Sequence, residues 1–264
     1  MNGESSMMHE TYQVPAIDRA LNALELLVES NKPITIKEIS AQLDIPIASC
    51  FRIIKTLQTR GYIMESDEAP GLYAVGFKIL HLADQALHKL DLRGIAISPM
   101  REVSTLTNQA VQLGKLDAKG VVYIEQVLPL RPVNVIAALH TPLSINISAA
   151  GKVLCAYMPL YQQSAYLEQV PFEGRTEHSV MDKAVFQQQL KTIRDRQYAL
   201  DIEEYNLGIG CIAVPIFDYT GQCVATLGIT GDIGDYSSQG NRDRMLSILQ
   251  NAAASISLRL GYGT

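Results

Sequence analysis

Hydrogen-bonding side chains recur along one side of residues 47–62, the segment IASCFRIIKTLQTRGY. Ser49, Arg52, Thr56 and Thr59 are spaced so that a helix would present them on one face. An Arg side chain can bind guanine through two hydrogen bonds, and a Ser hydroxyl can bind a base or a phosphate. The apolar residues of the segment follow a second helical stripe, which predicts a buried opposite face. The pattern therefore favours a helix that reads base edges in the major groove of DNA.

Neighbouring residues extend this predicted DNA surface. Ile47 and Ala48, at the start of the segment, have apolar side chains of the kind that contact a thymine methyl group. Lys55, Arg60 and, from an earlier helix, Arg19 are cations that would bind phosphates and so position the protein. The complete set predicted to contact double-stranded operator DNA is Arg19, Pro46, Ile47, Ala48, Ser49, Arg52, Lys55 and Arg60.

Charge alone does not favour this function. Residues 1–80 contain seven Lys and Arg against ten Asp and Glu, whereas a domain that binds nucleic acid through bulk charge is basic. An exposed helix face with one Arg and several hydroxyl groups is also common on proteins that bind no DNA. The stronger argument is the order of the elements around the segment.

The elements around the segment follow the order of a winged helix-turn-helix. In ITIKEISAQLDIP, Thr35 and Glu38 have the spacing of a capping box that begins a helix. Pro46 suits the first turn of the next helix, and YIMES and LYAV read as the two strands of a hairpin. The preceding segment, PAIDRALNALELLVES, carries apolar residues at helical spacing, namely Ile17, Leu21, Leu24, Leu27 and Val28. We predict a winged helix-turn-helix domain over residues 14–76.

Composition defines the class of protein and excludes several kinds of site. The chain has 264 residues, of which 47% are hydrophobic and 19% charged, as in globular proteins that bury a full core. Its four cysteines and five histidines show neither metal-ligand nor disulfide spacing, so we predict no metal and no cofactor. The sequence shows no secretory signal and no run of about 18 apolar residues. We expect a cytoplasmic protein that does not enter a membrane.

The remainder of the chain predicts a second domain of the α+β class. Residues 76–110 read mostly as helix with a break near Pro99, and we take residues 77–92 as a linker or dimerisation helix. VQLGKLD, VVYIEQVL and VNVIAAL read as strands, as do GCIAVPIFDY and QCVATLGIT, which flank a second hairpin turn. SAAGKVLCAYM, MDKAVFQQQLKTIRDRQY and a closing segment from about Ser237 to Leu260 read as helices. We predict a mostly antiparallel sheet within residues 93–262.

Several motifs together resemble the IclR family of bacterial transcription regulators. They are RALNALELL, the pattern I-P-x-x-S-x-x-R at 45–52, LYAVG at 72–76, PLSINISAAGKVLCA at 142–156 and LDIEEYNLGIGCIAVPIFDYTGQCVATLGITG at 200–231. The resemblance runs in order from about Val14 to Gly261. It implies an N-terminal winged helix-turn-helix, a linker helix, a C-terminal effector domain of GAF-like fold, and a homodimer or homotetramer. The chain departs from the family where Ile47, Ala48 and Phe51 replace residues that are often polar or charged.

The resemblance also implies where a small organic acid or an aromatic metabolite would bind as effector. In similar members, backbone N–H groups at the start of a helix and side chains from the sheet contact the effector. Asp201 and Cys211 match that pattern, and Thr230 keeps a hydroxyl where Ser is common. Gly228 lacks the usual hydroxyl, which would leave room for a bulkier ligand. The effector-binding residues implied in this way are Ala149, Ala150, Asp201, Cys211, Gly228 and Thr230.

Two other functions remain open from the residues alone. The winged helix could mediate protein contacts and bind no DNA. Cys211, or less favourably Cys155, could be the nucleophile of a thiol enzyme, which needs a base within reach and a lowered thiol pKa. Gly151 and Lys152 resemble part of a phosphate-binding loop, but the upstream glycine of that motif is missing, so we predict no nucleotide site.

Overall fold

The computed structural model describes residues 14–88, 91–132 and 136–263. Contacts between residues divide the chain into two compact units, Met1–Leu90 and Asp91–Thr264. The first unit has the elements of a helix-turn-helix with a small sheet, and the second has helices around an antiparallel sheet. The predicted α+β fold class is therefore confirmed.

The first unit follows the predicted order of helices and hairpin. Its described helices are α1 (Pro15–Glu29), α2 (Ile36–Gln42), α3 (Ile47–Thr59) and α4 (Lys78–His88). Its described strands are β1 (Ile34–Thr35), β2 (Ile63–Glu65) and β3 (Leu72–Val75), which pair antiparallel in the order β1-β3-β2. β2 and β3 form the predicted hairpin, whereas β1 is too short for a periodic pattern to reveal it.

A capping box sets the start of α2 and therefore the position of the helix after it. Thr35 Oγ1 accepts a hydrogen bond from the Glu38 N–H at 3.2 Å, and Glu38 Oε2 accepts one from the Thr35 N–H at 2.7 Å. This reciprocal pair satisfies two backbone donors that the first turn of a helix leaves free. Ile39, on the next turn of α2, and Ile54 of α3 are fully buried in one core. The predicted capping box is confirmed.

The second unit is built on one antiparallel sheet. Its described strands are β4 (Ala110–Asp117), β5 (Gly120–Val127), β6 (Ala199–Ile202), β7 (Ile209–Phe217) and β8 (Cys223–Asp232), in the order β5-β4-β8-β7-β6. Its described helices are α5 (Leu92–Thr107), α6 (Ala149–Tyr157), α7 (Leu160–Gln169), α8 (Lys183–Arg196), α9 (Ile233–Ser237) and α10 (Gln239–Arg259). The predicted hairpins β4–β5 and β7–β8 are both present.

Helices cover both faces of this sheet and create two apolar layers. α6 and α8 pack together over one face, where Val153, Phe186 and Ala213 are buried. α5 and α10 cover the other face, where Ile212 and Met245 are buried. Because side chains alternate along a strand, Cys211 and Ala213 point toward α6, and Ile212 points toward α10. The effector-binding residues predicted on the sheet therefore face α6.

The predicted break near Pro99 is wrong. α5 continues from Leu92 to Thr107, and Pro99 is buried in its middle together with Met100 and Val103. Pro99 has no N–H to donate to the carbonyl of Ile95. The helix nevertheless continues because its apolar face packs on β4 and β5, and burial of that face outweighs the lost hydrogen bond.

Two other assignments in the second unit differ from the prediction. Residues 136–139 of the predicted strand VNVIAAL form no strand, and residues 133–135 lie outside the described residues. The Gln112 side chain donates a hydrogen bond to the Ala137 carbonyl at 3.1 Å, so a side chain binds the backbone of this segment. α7 follows Pro159 in a polar stretch with only Leu167 buried, so the sequence has no strong apolar periodicity there.

Candidate functional sites

Helix α3 separates a buried side from an exposed side. Cys50, Ile54 and Leu57 are buried against the other elements of the first unit. The opposite side carries Arg52, which is exposed. No acidic residue occurs in the first turn of α3, so nothing on that turn would repel a phosphate. The side predicted to read DNA is therefore accessible.

Three of the predicted DNA-contacting residues lie around one groove. Arg19 of α1 and Ser49 and Arg52 of α3 line a groove of about 480 Å³ between these helices, together with Thr56. Arg19 and Arg52 are exposed, and Ser49 is half-buried. Two cations and a hydroxyl at one concave surface can donate hydrogen bonds to phosphate and base oxygens together.

Lys55 is placed differently from the other predicted phosphate ligands. Its Nζ lies 3.0 Å from the Tyr73 hydroxyl of β3 and 2.9 Å from Oε1 of Gln58. The hydrogen bond with Tyr73 raises the pKa of Lys55. These contacts connect α3 to the hairpin and occupy donors that a phosphate would need. Arg60, in contrast, is exposed at the C-terminal end of α3.

The beginning of α3 is apolar and exposed. Pro46 is the residue before the first turn, and its carbonyl accepts hydrogen bonds from the N–H groups of Ser49 and Cys50 at 2.8 and 3.0 Å. Pro46, Ile47 and Ala48 are all exposed. The predicted base-reading end of the helix is therefore free of intramolecular cover within the first unit.

Strand register places three of the predicted effector residues in one line across the sheet. Asp201 of β6 is opposite Cys211 of β7, and Cys211 is opposite Thr230 of β8. The Thr230 hydroxyl lies 3.3 Å from the Cys211 sulfur. Side chains directly opposite one another in antiparallel strands are neighbours on one face, so the three form a single polar row that faces α6.

Asp201 is the charged end of this row and is almost fully buried. Its Oδ1 accepts hydrogen bonds from the backbone N–H groups of Glu204 at 2.8 Å and Tyr205 at 3.4 Å. Burial raises the pKa of Asp201, and the bond from the Glu204 N–H and the positive charge of Lys152 partly offset that rise. The carboxyl group is therefore held in a fixed position by the turn that follows β6.

The start of α6 presents backbone donors to the same face. Ser148 caps this helix: its Oγ accepts from the Gly151 N–H at 3.2 Å, and its carbonyl accepts from the Lys152 N–H at 3.0 Å. Within the described residues, the first-turn N–H groups of Ala149 and Ala150 are left for another acceptor. α6 packs across β6, β7 and β8, so the structure brings all the implied effector residues to one side of the sheet.

Small residues lie beside the polar row. Gly228 is opposite Ala213, which is opposite Ala199. A Cβ atom added to Gly228 would lie 3.3 Å from the Ile212 carbonyl oxygen and 3.7 Å from Ala213 Cβ. The strands therefore expose little side-chain volume to α6 at this level of the sheet.

Tyr123 is a functional candidate that the sequence did not reveal. Its hydroxyl lies 3.3 Å from Ser148 Oγ, and the side chain is buried. Burial raises the pKa of Tyr123, and the nearby Cys211 raises it further. Tyr123 therefore connects β5 to the cap of α6 beside the polar row. The only signal in the sequence is the alternation of side chains along β5, which places Tyr123 on the buried face of the strand.

A buried ion pair also lies beside the row. Lys152 Nζ is 2.5 Å from Glu204 Oε1 and 3.3 Å from the Leu200 carbonyl oxygen. Burial raises the pKa of Glu204 to about 7, although the charge of Lys152 opposes that rise. Lys152 thus belongs to a structural ion pair. Lys152, which the sequence places in an incomplete phosphate-loop pattern, is therefore paired with Glu204, 52 residues later in the chain.

The thiol groups do not have the properties of catalytic nucleophiles. Burial raises the pKa of Cys211 well above its usual value, and the adjacent Asp201 carboxylate raises it further. Burial raises the pKa of Cys155 to about 12. A thiol nucleophile requires the opposite shift, and the ion pairs of His178 are with Glu203 and Glu177.

Two further kinds of site are absent from the described residues. Within residues 14–88, 91–132 and 136–263, no three His, Cys, Asp or Glu side chains are grouped to hold a metal ion. Over the same described ranges, no helix has the length and apolar character needed to span a bilayer.

Comparison with known proteins identifies the family of this chain. Residues 84–258 match the family model described as bacterial transcriptional regulator IclR C-terminal, and residues 16–66 match the IclR helix-turn-helix domain. The HTH-type transcriptional regulator KdgR of Dickeya chrysanthemi is 30% identical over 249 residues, which cover 94% of this chain and 81% of KdgR.

Solved structures show the same fold. The IclR protein of Thermotoga maritima is 25% identical, with a TM-score of 0.63 over 95% of this chain and 100% of that one. The repressor BlcR of Agobacterium tumefaciens is 24% identical, with a TM-score of 0.74 over 96% of this chain and 99% of its own. With a DNA-binding helix-turn-helix and a C-terminal effector domain, the chain belongs to the IclR family of bacterial transcription regulators.

Proposed function

We propose that this regulator binds operator DNA through α3 and releases or tightens that binding when a small organic acid or an aromatic metabolite occupies the second unit. In this proposal Arg52 and Ser49 read bases, and Arg19 and Arg60 contact phosphates. The observation that carries the first half is the groove shared by Arg19, Ser49 and Arg52. Lys55 contributes less to phosphate binding than predicted, because Tyr73 and Gln58 already bind its ammonium group.

Arg52→Ala tests the base contact. Loss of a bidentate contact to guanine weakens binding to a selected operator by about 1–3 kcal/mol and relaxes the preference at that base pair. Arg60→Ala, a phosphate contact in this proposal, weakens all duplexes alike and lowers the salt dependence. Fluorescence anisotropy with operator and scrambled duplexes separates the two effects. Unchanged operator affinity in Arg52→Ala would exclude its role in base recognition.

The effector half of the proposal rests on the polar row and the start of α6. A carboxylate requires N–H donors, and Ala149 and Ala150 present two at a helix N-terminus, where the helix dipole favours an anion. Thr230 and Cys211 add hydrogen-bonding groups beside them. Gly228 and its small neighbours favour a ligand with a flat or bulky body, such as an aromatic acid.

A thermal-shift panel of acetate, pyruvate, benzoate and 4-hydroxybenzoate tests the ligand class. A ligand present at 100 times its dissociation constant stabilises the protein by about 2.7 kcal/mol. Thr230→Val removes the hydroxyl at nearly constant volume and should reduce that shift, whereas Thr105→Val, on the exposed side of α5, should leave it unchanged. If no carboxylate in the panel stabilises the protein, the proposed ligand class is wrong.

An effector that regulates must also change operator affinity. Coupling between the two sites requires that the ligand bind the DNA-bound and free forms unequally. Operator titrations with and without the stabilising acid measure this coupling directly. Equal operator affinity with and without the acid would mean that the ligand does not regulate DNA binding, which would contradict the proposal.

We further propose assembly into a dimer, which a tetramer would contain twice, through α1 in addition to the predicted linker or dimerisation helix at residues 77–92. Val14, Ile17, Leu21 and Val28 are all largely exposed. With the half-buried Leu24 they repeat at alternating steps of three and four residues, the pattern of a helix that packs on another helix. Ile17→Glu combined with Leu21→Glu should lower the sedimentation mass, whereas the exposed Asn22→Glu should not. An unchanged mass in the double variant would place the contact elsewhere.

A further inference from the structure

Two large apolar side chains occupy the beginning of the DNA-facing helix. Ile47 and Phe51 are 52% and 51% exposed, and they lie four residues apart in α3, so their side chains are neighbours on its surface. The exposed Ala48 borders them. Adjacent apolar side chains on an exposed helix face offer a surface that a partner can cover.

The position of Phe51 is supported by the hairpin. Lys55 Nζ lies 5.9 Å from the centre of the Phe51 ring, within the range of a cation–π contact. The same ammonium group is bound by the Tyr73 hydroxyl of β3, and Tyr73 is buried. The contact limits the freedom of the ring before any partner arrives, and it gives Lys55 a positioning role.

The partner that fits this patch is the major groove of DNA. Arg52, the proposed base reader, follows Phe51 directly, and Lys55 keeps its positive charge beside the Phe51 ring although Tyr73 and Gln58 bind its ammonium group. The apolar pair therefore lies in a cationic setting that suits the negatively charged groove of DNA. The apolar group that the bases present in the major groove is the 5-methyl group of thymine. A protein partner with a purely apolar surface would leave the Arg52 guanidinium unmatched.

We infer that Ile47 and Phe51 contact the methyl groups of thymines in neighbouring base pairs, beside the base read by Arg52. Phe51 is thereby a specificity-determining residue. Ile47 and Phe51 are about 6 Å apart along the axis of α3, which is less than two base-pair steps of about 3.4 Å, so the two side chains can reach bases that lie no more than two pairs apart. This inference rests on the proposed role of α3 in reading the operator.

Replacement of thymine by uracil removes only the methyl group and tests the inference on the unmodified protein. The full chain first selects preferred sequences from a random duplex library. Each thymine of the selected site is then replaced by uracil, and operator affinity is measured by anisotropy. We expect about fourfold weaker binding at each contacted thymine, the effect of one buried methyl group.

Variants assign the contact to a side chain. Phe51→Ala should abolish the response to uracil at one position, and Phe51→Leu, which keeps an apolar side chain, should retain it. Thr105→Ala, on the exposed side of α5 in the second unit, should leave the response unchanged. Ile47→Ala provides the same comparison at the second position if Phe51→Ala does not fold, as judged by circular dichroism.

The outcomes distinguish this inference from the proposal beneath it. A selected site whose thymines all tolerate uracil overturns the methyl contact and leaves operator reading by Arg52 intact. Failure to select any sequence overturns the operator-reading role of α3 and this inference with it. Loss of the uracil response in Phe51→Ala, with retention in Phe51→Leu, supports the contact.

Discussion

Replacement of Lys152 by Met removes one partner of the buried ion pair. The side chains of Lys152 and Glu204 are 3% and 11% exposed, and their charged atoms are 2.5 Å apart. Lys152→Met keeps a long apolar stem but leaves the Glu204 carboxylate buried without its cation. Among the described residues, Glu204 Oε2 already lacks a hydrogen-bond partner, so the whole carboxylate would become unsatisfied.

The expected loss of unfolding free energy is about 3–5 kcal/mol at pH 8, the usual effect of breaking a buried pair from one side. The pKa of Glu204, about 7 with Lys152 present, rises further without that cation. At pH 5.5 the carboxyl group is therefore protonated and no longer a stranded charge, so the loss is smaller. The lost Leu200 contact, at 3.3 Å, remains at both pH values.

Urea unfolding followed by circular dichroism at pH 8 and pH 5.5 measures this difference. Arg175→Met is the matched control, because Arg175 pairs with Glu173 at 3.5 Å and both side chains are about half exposed. Such surface pairs contribute about 0–1 kcal/mol. The double variant Lys152→Met/Glu204→Leu removes both charges and should recover most of the stability lost by Lys152→Met.

Either of two results would refute this reasoning. One is a loss below about 1 kcal/mol at pH 8, which would place the pair in the range of exposed ion pairs. The other is a double variant less stable than Lys152→Met, because apolar replacement of a buried pair is expected to be neutral or favourable.

Three further predictions concern stability. Because burial raises the pKa of Glu204 from 4.5 to about 7, its contribution is fully present below pH 4.5 and is lost as pH rises to 7; thermal melts should show the stability of the wild type falling relative to Glu204→Gln across that window. Thr35→Ala removes the cap of α2 and should cost about 1 kcal/mol in urea unfolding. Gly151→Ala should lower the melting temperature, since its Cβ would lie 2.6 Å from Ile145 Cα, whereas Gly240→Ala, with no atom within 4 Å of the added Cβ, should not.

The sequence predicts those features that depend on a few adjacent residues. Thr35 and Glu38 specify the capping box by their spacing alone. The turn at residues 117–120 and the one ending in Gly221 join strands that pair with their nearest neighbours in sequence. In both cases the interacting groups lie within a few residues, so no knowledge of the tertiary fold is needed.

The sequence does not predict features that depend on packing between residues far apart in the chain. Pro99 remains inside α5 because the sheet covers it, and sequence rules describe only its local cost. Ile17 and Leu21 follow a helical stripe, but the stripe does not distinguish a core from an exposed face that another helix could cover. Tyr123 meets Ser148 only because β5 and α6 pack on one sheet.

The straight polar row across β6, β7 and β8 restricts where residues can be inserted into or deleted from the chain. A single inserted or deleted residue within β7 would turn the following side chains to the other face of the sheet. If the change fell before Cys211, that side chain would point toward the apolar layer under α10, and Asp201 and Thr230 would lie opposite a different side chain. We expect length variation among close relatives to concentrate in turns such as residues 218–222 and to be rare within 209–217.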